Sequence, residues 1–323
     1  MLKYITFGVK VQLNVHDLNN EAVAGDVQDI RVIEFLDENR KRQEAPAVSG
    51  RMLKHWHYET MRQLGLEQNL PFCDACKIGE PVRPAVIVDD NGQKKLSHQE
   101  AIDRGTLEVV KSCIVCDIHG YLAAIGRTSE RRSSRVMFSW IMPVLGSESG
   151  TKQVIHSRVK SGMNFKEATL TSQMPYYKSY ASGIYAFVSA LDIERIGLIE
   201  LNLGSSNPYA IELADRRQRA KVAIEAYRYL ISGQMGASLS HAIPHTEPIE
   251  VLLAYSETSP IPFPISPIYK DYIEEYKGLI PNGTTILFWN QKGEKIEGVT
   301  MKSTINGIFE EILGKLNTVG EKE

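Results

Sequence analysis

Residues 5–15 alternate without a break: Ile5, Phe7, Val9, Val11, Leu13 and Val15 are apolar, while Thr6, Gly8, Lys10, Gln12 and Asn14 stand between them. Period two over eleven residues specifies a strand with one buried face and one polar face. The strand ends in the polar loop HDLNNEAVAGD, and a second strand is expected near residues 30–36. A helix follows at SGRMLKHWHYETMRQL. At about 100° per residue, Leu53, Trp56, His57, Thr60, Met61 and Leu64 share one side of it, and Arg51, Lys54, His55, Tyr58 and Arg62 the other. ASGIYAFVSALDI is apolar on both faces, as in a central strand. A second helix carries Ala220, Ala223, Ile224, Tyr227, Leu230 and Ile231 on one stripe, with Arg216, Arg217, Arg219, Lys221 and Arg228 over much of the rest. IEVLLAYSE and TTILFWN read as strands, and STINGIFEEILGKL as a C-terminal helix. This order predicts an α+β sandwich, with the sheet on one side and the helices on the other.

Composition bounds the function. The 323 residues carry a formal net charge of -2 with 43% hydrophobic and 24% charged residues, so any polyanion binding must come from a segregated basic patch. No run of eighteen apolar residues occurs, and the N-terminus lacks a continuous apolar core, which points to the cytoplasm and away from membranes.

Three basic elements recur. The first is the helix start, where Ser49 is a suitable N-cap but Met52 stands where a capping box would place a carboxylate. Free first-turn amides, Gly50, Arg51 and Lys54 favour an anion, most simply a phosphate. The second is the loop at residues 232–240, in which Gly233, Gly236 and Ala237 follow a basic helix and allow close backbone approach; with no Lys-Ser/Thr after the glycines, it is not a nucleotide P-loop. The third is RTSERRSSR, with Arg127, Arg131, Arg132 and Arg135 opposed only by Glu130, a composition suited to a phosphodiester chain. Each alone is matched by a plain surface reading; together they favour a groove.

Cys73-x2-Cys76 and Cys113-x2-Cys116 account for all four cysteines. Four thiolates complete a closed tetrahedral zinc site, structural rather than catalytic, and two motifs without a thioredoxin-like setting favour zinc over redox exchange. His119 lies close by, but four sulfurs are expected to suffice. Catalytic motifs are otherwise missing. His55 and His57 diverge around their helix, and Pro244 interrupts the helix that His241 and His245 would need to share a metal. GIYAFV is offset from an RNA-recognition-motif aromatic strand and fits a core strand better.

The blocks LNVHDLN, PAVSGRMLKHWHYE, DIHGYLA, IHSR, YASGIYAF and AIEAYRYLISGQMGA, in this order, resemble the backbone subunit of archaeal-type CRISPR Cascade complexes, the DevR/Csa-like seventh Cas family, nearest to type I-A. The resemblance runs from about residue 5 to 290. It implies an RNA-recognition-motif-like (ferredoxin-like) palm at 1–65 and 181–323. It also implies inserted finger and thumb elements, assigned to a basic loop and thumb-like insertion at 127–180 and to an inserted lobe at 66–126, where the pattern loosens after Leu66 and both cysteine pairs lie. It further implies copies stacked head to tail along CRISPR RNA, with target DNA and other Cascade subunits as partners. By position it places Ser49, Gly50, Arg51, Lys54 and His55 near guide phosphates. His156 and Arg158 match a His-x-Arg at the RNA groove, and Gly233, Gly236, Ala237 and Ser238 match the glycine-rich loop. The cysteine pairs depart from the family pattern, so zinc rests on their spacing and is expected to brace the inserted lobe. A non-catalytic scaffold is the leading expectation. The alternative is a metal-dependent ribonuclease like the type III backbone relatives, with Asp17 or Asp26 as the loop carboxylate; a zinc-braced transcriptional regulator is a third.

Overall fold

The computed structural model describes residues 2–18, 22–24, 27–80, 86–88, 91–96, 105–125, 128–147, 150–159, 173–237, 239–240 and 242–317. The expected first strand is β1 (Tyr4–Asn14). A hairpin of β2 (Val32–Leu36) and β3 (Arg42–Pro46) leads into α1 (Gly50–Glu67). Short helices α2 (Asp74–Lys77), α3 (Thr106–Ser112) and α4 (Ile114–His119) come next. A second hairpin, β4 (Tyr121–Ile125) and β5 (Thr128–Arg132), precedes β6 (Val136–Phe138), β7 (Gly150–Val159) and β8 (Gln173–Asp192). The chain finishes with α5 (Leu213–Ile231), β9 (Thr246–Ser256), α6 (Tyr272–Leu279), β10 (Thr285–Asn290) and α7 (Ile305–Asn317).

The fold is α+β with a central mixed sheet. β1 lies between β8 and β9, antiparallel to both, and β10 extends the β9 edge. The far edge of β8 pairs with β6 near its end and with β7 along its first half, and a short strand at Val27–Asp29 joins β8 in parallel. The boundary expected at 180/181 therefore falls inside one continuous strand, and the insertion and the sheet share β8.

The odd residues of β1, Ile5 to Leu13, enter the main core under α1, α5 and α7, with Phe7 stacked on Tyr227 at 4.3 Å. The even face was expected to be polar; Gln12 is exposed as expected, but Tyr4, Thr6 and Gly8 are covered. Thr6 bonds the Tyr276 hydroxyl at 3.0 Å, and Gly8 leaves room for Pro264 and Pro267, so a second apolar cluster with α6 closes that side. The sheet thus sits between two layers, because polar groups of β1 find partners in the chain rather than in water.

The expected separate lobe at 66–126 also differs. Its cysteines and α4 belong to the same core as β1, α1 and α5. All six residues of α4 are buried, including Asp117 and His119. Ile114 meets α1 at Gly65, where an added Cβ would lie 2.8 Å from its side chain. Tyr58, expected on the exposed face of α1, is buried for the same reason: the cysteine segment covers that face, and the hydroxyl donates to the Glu80 carbonyl at 3.3 Å.

Asp117 accepts from Arg132 of β5, from Arg219 of α5 at 2.8 Å, and from the Gly197 amide at 3.0 Å. His57 of α1 carries its proton on Nε2, because it faces the Ala223 carbonyl at 2.9 Å, so its Nδ1 accepts from His119 Nε2 at 3.0 Å. Burial, with Lys54 adding, lowers the His57 pKa to about 3 against the opposing effect of the Ala223 bond. Native His57 is then neutral while the unfolded chain protonates it below about 6.5. The unfolded state binds more protons in that window, so stability falls as pH drops from about 6.5 toward 3, at up to about 1.4 kcal/mol per pH unit. Urea unfolding across this range should show the slope in the wild type and a shallower one in His57→Gln; equal slopes would refute a neutral His57.

Candidate nucleic-acid interface and metal centre

Ser49 is extended and makes no side-chain cap, and no carboxylate stands in the first turn of α1. Two hollows flank this helix start and share Arg31, Ser49 and Arg51. One, about 400 Å³, lies between the helix and the glycine loop, with Leu18, Val48, Met52, His55, Trp56, Gly236 and Ala237 in its walls. The other, about 670 Å³, is completed by Gly50, Lys54, Ser134, Val136, Met137, Phe138 and Trp140. Among the described residues no Asp or Glu lines either hollow. A cationic concavity without carboxylates, at an uncapped helix N-terminus, suits an anion.

The helix start and the glycine loop are 180 residues apart in sequence and meet through Trp56, whose Nε1–H donates to the Gly236 carbonyl at 3.0 Å. The Ala237 amide donates to the Asp17 carbonyl at 2.9 Å, so the end of β1 holds the loop from the other side. Gly233 takes a φ of +92° beside Thr246, a conformation and a space that a side chain would lose. Gly50 serves its own chain, because an added Cβ there would lie 2.5 Å from the Ser139 carbonyl. The close approach read from its sequence is thus made by the segment after β6.

The four cysteine sulfurs lie within 4.8 Å of one another, are buried and form no disulfide. Cys73 and Cys113 each stand before a short helix and accept the amide of the cysteine three residues on, at 3.3 and 3.4 Å. Two identical knuckles therefore face each other, with Cys76 and Cys116 sulfurs 4.0 Å apart. Zinc–sulfur bonds of about 2.3 Å require sulfurs about 3.8 Å apart in a tetrahedron, so the donor set fits a metal ion. Hydrogen bonding among the sulfurs, with Cys113 foremost and burial adding, pushes the Cys76 and Cys116 thiols well above their ordinary range. A bound cation would reverse that preference by stabilising thiolates.

A family model described as the CRISPR-associated negative auto-regulator DevR/Csa2 matches residues 7–277. The chain belongs to the DevR/Csa2 family. A relative from Methanocaldococcus jannaschii, the CRISPR-associated protein Cas7/Cst2/DevR, is 27% identical, over 97% of this chain and 100% of its own length. The CRISPR-associated aCascade subunit Cas7/Csa2 2 of Saccharolobus solfataricus is 23% identical, over 81% of this chain and 84% of its own. Among solved structures, a chain of a CRISPR RNA-guided surveillance complex in a pre-nicking state shares the fold with a TM-score of 0.58 at 10% identity, over 97% of this chain and 100% of that one.

Within this DevR/Csa2 member, the structure brings Ser49, Gly50, Arg51, Lys54, His55, Gly236 and Ala237 to one place. Gly233 shapes the loop from behind. The arginine cluster does not join them. Arg132 is buried on Asp117, and Arg135 is wholly buried with Nη2 on Glu200 at 2.6 Å, so both act inside the protein. Arg131 is exposed on β5 and is not among the residues lining either hollow, and Arg127 lies outside the described residues. Arg216 and Arg219, expected on a basic helix face, are likewise buried against carbonyls and Asp117. His156 and Arg158 lie on β7 opposite Tyr176 and Met174, with side chains outside the described set; Ser238 and Asp26 are outside it too. The Asp17 carboxylate faces His16 Nε2 at 3.3 Å. Among the described residues the four cysteines are the one group placed to hold a metal.

Arg31, Phe138 and Trp140 escaped sequence reasoning; Arg31 lies 5.8 Å over the Trp140 ring, a pairing no motif announces. Trp56, which the helical spacing puts on the apolar side of α1, latches the glycine loop. Trp56→Phe keeps the ring and loses the bond to Gly236, so urea stability should fall by about 1 kcal/mol while exchange of the Ala237 amide speeds up. An Ala237 amide as protected as in the wild type would contradict the latch.

Proposed function

We propose that this chain is a non-catalytic backbone subunit of a type I CRISPR-Cas surveillance (Cascade) complex, binding CRISPR RNA through its phosphates. The observation that carries the reading is the cationic groove between the start of α1 and the glycine loop, whose described lining includes no carboxylate. Ser49, Gly50, Arg51, Lys54, His55, Gly236 and Ala237 would receive the strand, joined by Arg31. Contacts to phosphate position a strand without reading its bases, which suits a subunit that must accept any guide. Family membership and the aCascade name of a relative support the complex, and fold likeness to a chain of an RNA-guided surveillance complex agrees with it.

The connectivity β1–α1–β6–β8–α5–β9 with lateral order β9–β1–β8–β6 supports an RNA-recognition-motif-like palm, since it is the split βαβ arrangement of ferredoxin-like domains. On this reading copies stack head to tail along the guide, β7 with the first half of β8 forms the thumb-like extension, and His156 and Arg158 on β7 reach RNA. The displayed bases would then pair with target DNA beside other Cascade subunits. Arg132 has no part in RNA contact on this reading.

The metal is zinc in this proposal, held by Cys73, Cys76, Cys113 and Cys116 as a closed structural site. Elemental analysis should find about one zinc per chain, lost in Cys73→Ser with Cys116→Ser. Protein purified without metal and equally stable would refute it.

Arg51→Glu with Lys54→Glu tests the groove. Filter binding to single-stranded RNA should weaken at least about tenfold, and the dependence of log K on log salt should flatten by about 1.4, with unchanged melting. Wild-type protein should leave that RNA intact in Mg²⁺. Undiminished binding by the double variant would overturn the groove assignment, and regular cleavage would overturn the non-catalytic reading.

A further inference from the structure

We propose that the four-cysteine metal site controls the shape of the RNA groove, acting through the buried helix α4 on both helices that carry the groove walls. The inference rests on the RNA-groove reading given above, but its mechanical part stands apart from it.

α4 begins directly after Cys113 and contains Cys116, so a metal held by the four sulfurs fixes both ends of its first turn. The remaining residues of the helix are attached to the rest of the interior. Asp117 binds Arg219 of α5 at 2.8 Å and the Gly197 amide at 3.0 Å. The Ile118 carbonyl accepts the Arg135 amide at 2.7 Å, just before β6. His119 donates to His57 of α1 at 3.0 Å, and His57 donates in turn to Ala223 of α5 at 2.9 Å.

The two helices so gripped are the ones that end at the groove. α1 starts at Gly50, where Arg51, Lys54 and His55 line the hollows. α5 ends at Ile231 and passes directly into the glycine loop, which returns to α1 through Trp56. A six-residue helix has too few internal hydrogen bonds to hold itself, so its position depends on its fixed ends. With metal bound, α4 holds α1 and α5 in register; without it, His57 of α1 and Arg219 of α5 lose a fixed partner and the two groove walls part.

His57, Asp117 and His119 are therefore positioning residues, and zinc is more than a staple on a peripheral lobe.

The test is hydrogen exchange with RNA binding, on the full chain before and after zinc removal by a chelator, with zinc added back. Metal-free protein that keeps its near-ultraviolet circular dichroism should exchange about tenfold faster at residues 53–61 and 230–237 and bind RNA about tenfold more weakly, both restored by zinc. Unchanged exchange at both segments in folded, metal-free protein would overturn the proposal. If removal unfolds the chain, zinc-loaded His119→Phe decides. It should keep full metal content yet show the same faster exchange, and His119→Gln, which retains a donor, should bring protection back. Full protection in His119→Phe would overturn the proposal. Zinc-loaded wild type that binds no RNA would instead sink the functional reading, while the exchange results still decide the coupling.

Discussion

The interior of this protein is organised around one buried carboxylate. Asp117 sits at zero exposure between Arg132 and Arg219 and accepts the Gly197 amide as well. Removing one partner from such a network leaves an uncompensated charge, typically at a cost of about 3–5 kcal/mol, so the elements bearing these residues are obliged to meet. They are α4, β5, α5 and the turn after β8. A second carboxylate, Glu200, gathers Arg135 and Arg195 at 2.6 and 2.8 Å nearby. These pairings take Arg132, Arg135 and Arg219 into the architecture. At the helix start Arg31, Arg51 and Lys54 line hollows with no Asp or Glu among their described walls, which is how a chain of net charge -2 presents a positive groove.

That division explains what could be read in advance. β1 was legible because a period-two pattern reports backbone geometry directly. The start of α1 was legible because a missing capping carboxylate is a local fact, and the glycine loop because glycine spacing announces backbone proximity. The arginine cluster misled because composition shows charge but not its partner. Arg135 finds Glu200 65 residues away, and Arg219 finds Asp117 at a separation of 102. The polar face of β1 was misread only in its first half, for a related reason: Thr6 meets Tyr276 across 270 residues, so polarity there meant an internal bond rather than water. Trp56 and Arg31 carry no local signature at all. Their significance is wholly tertiary.

The cysteine pairs show the same limit from the other side. Their spacing foretold four converging sulfurs, and the sulfurs do converge. It did not foretell that the site lies within the main core, since a spacer between knuckles says nothing about which surface it covers. Cys116, Asp117 and His119 share one short helix, and through Arg219 and His57 that helix touches both elements flanking the groove. On the proposed reading, stability and recognition are carried by one set of contacts.

The central claim is that an RNA backbone lies between the start of α1 and the glycine loop. Ultraviolet crosslinking of the protein to bound RNA, with the modified peptides mapped by mass spectrometry, addresses it most directly. The account predicts crosslinks at Arg31, residues 49–56, Trp140 and residues 236–237. Crosslinks confined to β10 and α7, with none at those positions, would contradict it.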